Sequence, residues 1–125
     1  MYKILNLLII ALFSVAYANS PIVINPDQIP SSPIELDSNA VTLSLPSNPS
    51  TGYEWVIVDY SDSIQVNSIE YVAPNDQLIG QPGSDLISIQ FNENWEKSYI
   101  DLKYSRSWEI DENPTVIRIY FQPKN

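Results

Sequence analysis

Beyond Asn19 the chain alternates apolar and polar side chains with a period of two, and a helical period is hard to find. Val41-Thr42-Leu43-Ser44-Leu45 alternates cleanly, which predicts a strand with one buried face. Tyr53-Glu54-Trp55-Val56-Ile57-Val58 is aromatic and β-branched, a composition that suits a pleated, half-buried surface. A weaker candidate starts at Ile64, with Val66, Tyr71 and Val72 as its other apolar members. Residues 86–91 put Ile87, Ile89 and Phe91 on one face. Residues 99–104 do the same with Ile100, Leu102 and Tyr104, and residues 115–121 with Ile117, Ile119 and Phe121. Ile22-Val23-Ile24 and Ile34-Glu35-Leu36 read as edge strands, and prolines stand between or at the ends of these runs, where no ladder bond is lost. About seven short strands separated by turn residues predict an all-β fold, an immunoglobulin-like antiparallel β-sandwich. The Cys-Trp-Cys signature of true immunoglobulin domains is absent.

Residues 1–18 break this pattern and read as a secretory signal peptide. Lys3 supplies the positive start, the stretch from Leu7 to Val15 the apolar centre, and Ala16-Tyr17-Ala18 the small-x-small cleavage site. The alternatives are a membrane anchor or a first core strand, but the run is short for a bilayer and no stop-transfer pattern follows it. On this reading, residues 19–33 form an N-terminal arm with an edge strand, and residues 34–125 form one domain. The expected product is a monomer free of the membrane, secreted or held in an endolysosomal or periplasmic compartment. Asn48-Pro49-Ser50 and Asn113-Pro114-Thr115 cannot accept an N-glycan, because proline occupies the middle position.

Composition removes whole classes of chemistry. There is no His and no Cys, so Ser–His and Cys–His pairs, imidazole or thiolate metal sites and disulfides are all excluded. The formal charge of −9, which becomes −10 when Lys3 is lost with the leader, argues against nucleic acid and against anionic lipid. The acidic residues are scattered. Neither Asp59 with Asp62 nor Asp111-Glu112 has the spacing of a calcium loop, and neither a metal nor a cofactor is expected. A carboxylate-pair glycosidase is the one enzyme class left, and no Asp/Glu pair stands in a recognisable cleft motif.

Candidate function gathers in the loops. The three glycines, Gly52, Gly80 and Gly83, all fall between predicted strands. Asn48-Pro49-Ser50-Thr51-Gly52-Tyr53 joins two strands, Gly80-Gln81-Pro82-Gly83 precedes a third, and Ser105-Arg106-Ser107-Trp108 follows a fourth. One reading makes these simple turn residues. Against it, Trp108 stands in a polar stretch beside Arg106, a pairing typical of binding hot spots. Alternate connections of a sandwich emerge at the same end, so the three loops are expected to share one edge. Trp55 is expected in the core, Trp95 is a candidate cap on one end, and Arg106 has two readings: a pair with Glu109 or Asp111, or a part in the loop surface.

At these loops the sequence resembles the chagasin family of inhibitors of papain-like cysteine peptidases. That family shows Asn-Pro-Thr-Thr-Gly-aromatic, matched at residues 48–53 with Ser50 for a threonine, and flanked here by Pro46-Ser47 and Trp55. Its Gly-x-Gly-Gly loop follows an apolar pair; Leu78-Ile79-Gly80-Gln81-Pro82-Gly83 is similar, with Pro82 for the middle glycine. Its third motif is Arg-Pro-Trp after Tyr-x, and Tyr104-Ser105-Arg106-Ser107-Trp108 keeps the arginine and tryptophan but not the proline. The likeness spans about residues 34 to 124. It implies a reversible inhibitor, not an enzyme, whose partner is a host or endogenous peptidase. The 48–53 loop would enter the cleft with Thr51 beside the catalytic pair. Residues 80–83 would lie on the non-primed side, and Arg106 to Trp108 on the primed side. The rival reading is a secreted adhesion or carbohydrate-binding sandwich using Tyr and Trp as sugar platforms. It does not explain why glycine, Thr51 and Trp108 gather in alternate loops.

Overall fold

Period-two alternation becomes eight strands in the computed structural model, which describes residues 20–74, 82–110 and 113–125; the expected signal peptide lies outside them. The strands are β1 (Ile22–Val23), β2 (Ile34–Leu36), β3 (Ala40–Ser47), β4 (Tyr53–Tyr60), β5 (Ile64–Val72), β6 (Gly83–Phe91), β7 (Ser98–Arg106) and β8 (Val116–Pro123). They form two four-stranded sheets, in the orders β1-β3-β6-β5 and β2-β8-β7-β4. The chain crosses between sheets after β3 and again after β4, as a sandwich requires. The interior pairings are antiparallel, as expected. The two short edge strands are not: β1 pairs with β3 and β2 with β8 in parallel. Neither is joined to its partner by a hairpin, so nothing forces the antiparallel sense.

The buried faces are those that the alternation predicts. Leu43, Leu45, Ile87, Ile100, Leu102 and Phe121 have no exposed surface, and Trp55 closes the core beneath β4. Each such aliphatic or aromatic side chain contributes roughly 1.5–3 kcal/mol. This core has no disulfide to help it, since the chain contains no cysteine. Trp95 stacks on Phe91 with ring centroids 4.0 Å apart, at the end of β6 remote from Gly83. Asn94, at φ 59°, makes the bend that delivers Trp95 there.

β5 departs from expectation. Ile64 is buried, but Ile69, Tyr71 and Val72 are exposed, because β5 is the outer strand of its sheet and its second half has no facing layer. On the outer surface of β7 and β8, Asp101 stands directly opposite Arg118 and accepts two hydrogen bonds from it, at 2.7 and 2.8 Å. Arg118 also lies 4.1 Å from the centre of the Tyr99 ring. Its pKa is held above the usual arginine value, chiefly by the hydrogen bond to Asp101. This is a cross-strand clip that the sequence alone did not disclose.

Candidate functional site

The turn between β3 and β4 is tied to itself at almost every position. Pro49 opens a single 3₁₀ turn, Pro49–Thr51, where a missing N–H costs nothing. Asn48 is its hub. The Asn48 carbonyl accepts from Thr51 N–H at 3.1 Å and from Thr51 Oγ1 at 2.7 Å, while its side-chain Oδ1 accepts from Ser50 Oγ at 2.6 Å. Gly52 N–H donates to the Pro49 carbonyl at 2.9 Å, and Tyr53 N–H to Thr51 Oγ1 at 3.4 Å. Gly52 then reverses the chain at φ 83°, a left-handed conformation that glycine adopts without strain.

The connection after β7 meets this turn. Arg106 Nε donates to the Thr51 carbonyl at 2.9 Å, its guanidinium lies 4.3 Å from the centre of the Tyr53 ring, and Nη1 reaches Glu109 Oε1 at 2.8 Å. The Glu109 hydrogen bond holds the arginine pKa above its ordinary value. The ion pair is exposed, so solvent screening leaves it little net effect on stability. Arg106 therefore does both things the sequence left open: it pairs with Glu109, and it shapes the loops. Asp111, its other candidate partner, lies outside the described residues.

Trp108 is the second link. It is 68 % exposed, yet its ring fills the space where a side chain at Gly52 would start: a Cβ there would fall on Cη2 and lie 2.7 Å from Cζ2. Ser107 is exposed beside it. Gly52 is thus required twice, once for its backbone angle and once as the floor under an indole.

The third loop is seen only at its margin. Gly80 and Gln81 lie outside the described residues, as do Leu78 and Ile79. Pro82 shares a hollow of about 560 Å³ with Asn48, Tyr53 and Tyr104, so it stands at the same end as the other two loops. Gly83 corrects the sequence reading. It is not a loop residue but the first residue of β6, buried and paired with Ser47. A Cβ at this position would collide with the Val72 carbonyl oxygen and lie 2.5 Å from Tyr71 Oη. Close approach of the β5 backbone, not turn geometry, explains this glycine.

What gathers at this end is a self-tied turn, an arginine that grips it and an exposed tryptophan. Both hydroxyls of the turn already donate to Asn48; the chain has no imidazole or thiol, and among the described residues no carboxylate is hydrogen-bonded to either hydroxyl to activate it. Among the described residues, no three acidic side chains come together to hold a metal. The contacts Arg106–Thr51 and Trp108–Gly52 escaped sequence reasoning. The one available signal was a glycine in one loop and a tryptophan in an alternate loop, which fold topology places at the same edge.

A two-sheet sandwich presenting a stiff turn and a tryptophan at one end belongs with the loop-bearing binding domains. The family model described as "Chagasin family peptidase inhibitor I42" matches residues 37–121, and the chain belongs to that family of peptidase inhibitors, which are not enzymes. Among solved structures, the fold is similar to the solution structure of amebosin, at TM-score 0.62 and 22 % identity over 85 % of this chain and 100 % of that one. It is also similar to the cysteine protease inhibitor EhICP2 from Entamoeba histolytica, at TM-score 0.61 and 24 % identity, covering 73 % of this chain and 85 % of that one. Curated protein sequences give no match.

Proposed function

We propose that the protein is a reversible, tight-binding inhibitor of papain-like cysteine peptidases, host or endogenous, that fills the active-site cleft with three adjacent loops. The observation that carries this reading is the joining of two family motifs at one end, through Arg106 on Thr51 and Trp108 on Gly52. Attack by a thiolate needs near-attack alignment of a peptide carbonyl, and a turn fixed in another shape denies it. A turn already tied by its own hydrogen bonds loses little entropy on binding. Three loops of this size suit an interface of about 800 Å² per partner. A nanomolar complex of that kind corresponds to roughly 12 kcal/mol. In this reading, residues 48–53 enter the centre, residues 80–82, just before the buried Gly83, follow the non-primed side, and Arg106 to Trp108 cover the primed side. Cleavage after Ala18 would release a monomeric inhibitor into a secretory compartment. A charge of −10 would steer it toward neutral or basic cleft rims.

The test is titration of papain, with a fluorogenic peptide as the reporter. Stoichiometric, reversible loss of activity is expected, and no loss at micromolar protein against several papain-like enzymes would reject the proposal. Trp108→Ala should weaken inhibition about 30-fold, equivalent to about 2 kcal/mol at a hot spot. Its melting temperature should stay within about a degree or two of the parent, since exposed substitutions rarely alter stability. Pro82 offers a separate handle on selectivity, because it removes an N–H from the third loop. Pro82→Gly should change the ranking of inhibition constants across a peptidase panel, and an unchanged ranking would dismiss that role.

A further inference from the structure

Beneath the 48–52 turn, four side chains form a continuous column. The Trp55 and Tyr104 rings have centroids 4.8 Å apart, Tyr104 stacks on Tyr53 at 5.1 Å and 20°, and the Arg106 guanidinium lies 4.3 Å beyond Tyr53. Strand register builds it. Tyr53 stands opposite Arg106 and Trp55 opposite Tyr104 on β4 and β7, so the four share one face and interleave. The foot of the column is buried at Trp55, and its head reaches solvent at Arg106.

Three members of the column also grip the backbone around the turn. Trp55 Nε1 donates to the Pro46 carbonyl at 2.9 Å, Tyr104 Oη accepts the Asn48 N–H at 3.3 Å, and Arg106 Nε donates to the Thr51 carbonyl at 2.9 Å. These points lie before, at the start of and near the end of the turn. Tyr104 is the middle of the column: without its ring, Trp55 and Tyr53 lose their common neighbour, and without its hydroxyl, Asn48 loses its anchor.

We infer that Tyr104 is a positioning residue, which fixes the 48–52 turn in its shape before any partner arrives. The claim concerns the free protein and rests on the peptidase-inhibitor reading only for its consequence in inhibition. The 48–53 motif names residues of the turn and its first flanking position; this assigns their placement to a residue of the neighbouring strand, Tyr104 on β7.

The experiment is amide hydrogen exchange by NMR on the parent, Tyr104→Phe and Tyr104→Leu, alongside inhibition of papain. Tyr104→Phe keeps the ring, so Asn48 should exchange about tenfold faster, while the core amides of Leu43 and Ile87 stay unchanged. Its inhibition constant should rise about three- to tenfold. Tyr104→Leu should extend the faster exchange to Thr51 and Gly52, whose N–H groups close the turn. If Tyr104→Leu does not fold, Tyr104→Phe still decides the matter. Unchanged exchange at Asn48 in Tyr104→Phe overturns the inference, and so does faster exchange with inhibition as strong as the parent's. Faster exchange in a series where even the parent fails to inhibit supports the positioning role and removes the peptidase reading.

Discussion

Gly52→Val is expected to weaken inhibition of papain by a factor on the order of a hundred, the largest functional loss of any single change in the loops. Two independent costs converge on this residue. At φ 83° a β-branched side chain is strained by roughly 1–3 kcal/mol. The new Cβ would also occupy the position of the Trp108 ring, so the indole must leave its seat. The two causes can be separated. Asparagine tolerates the left-handed region, so Gly52→Asn retains mainly the collision with Trp108. In a Trp108→Ala background that collision disappears, and Gly52→Asn should then add little. The double-mutant cycle is therefore expected to be strongly non-additive, as it is for groups in contact. Additive losses would show that the two loops act separately.

The largest stability loss is expected at the other end of the argument, in the core. Phe121 has no exposed surface, packs edge-on against Phe91 at 5.6 Å and lies opposite both Ile34 and Ser98. Phe121→Ala should cost about 3–5 kcal/mol, because a void of that size cannot collapse between two sheets. Domains of this kind have only about 5–15 kcal/mol in total, and this one has no disulfide. Urea denaturation should show the midpoint falling sharply. The fraction that remains folded should inhibit as the parent does, since Phe121 lies far along β8 from the turn. A loss below about 1 kcal/mol would mean that the core repacks around the gap.

The parts of the fold legible in the sequence are those where one face meets water and the other does not. In β3, β6 and β8 burial alternates residue by residue, and so do the side chains. β5 lacked that signature because, in its second half, neither face is covered. The parallel sense of β1 and β2 was illegible for a different reason: a strand of two or three residues carries no pattern that distinguishes its direction. At the site, turn chemistry could be read locally, since Pro49 and Gly52 act on their own backbone. The contacts that make a surface of the loops could not. Arg106 and Thr51 are 55 positions apart, and only register brings them together. Gly83 illustrates the same limit, because a glycine needed for close approach looks in sequence like one needed for a turn.

The tied turn has one further consequence. Residues 48–52 carry no ionisable side chain, the chain has no histidine, and the guanidinium that grips the turn stays protonated under all physiological conditions. Acidification thus titrates no group within residues 48–52; a pH dependence contributed by the inhibitor would enter through the Glu109 carboxylate that pairs with Arg106, separately from the cysteine and histidine of the enzyme.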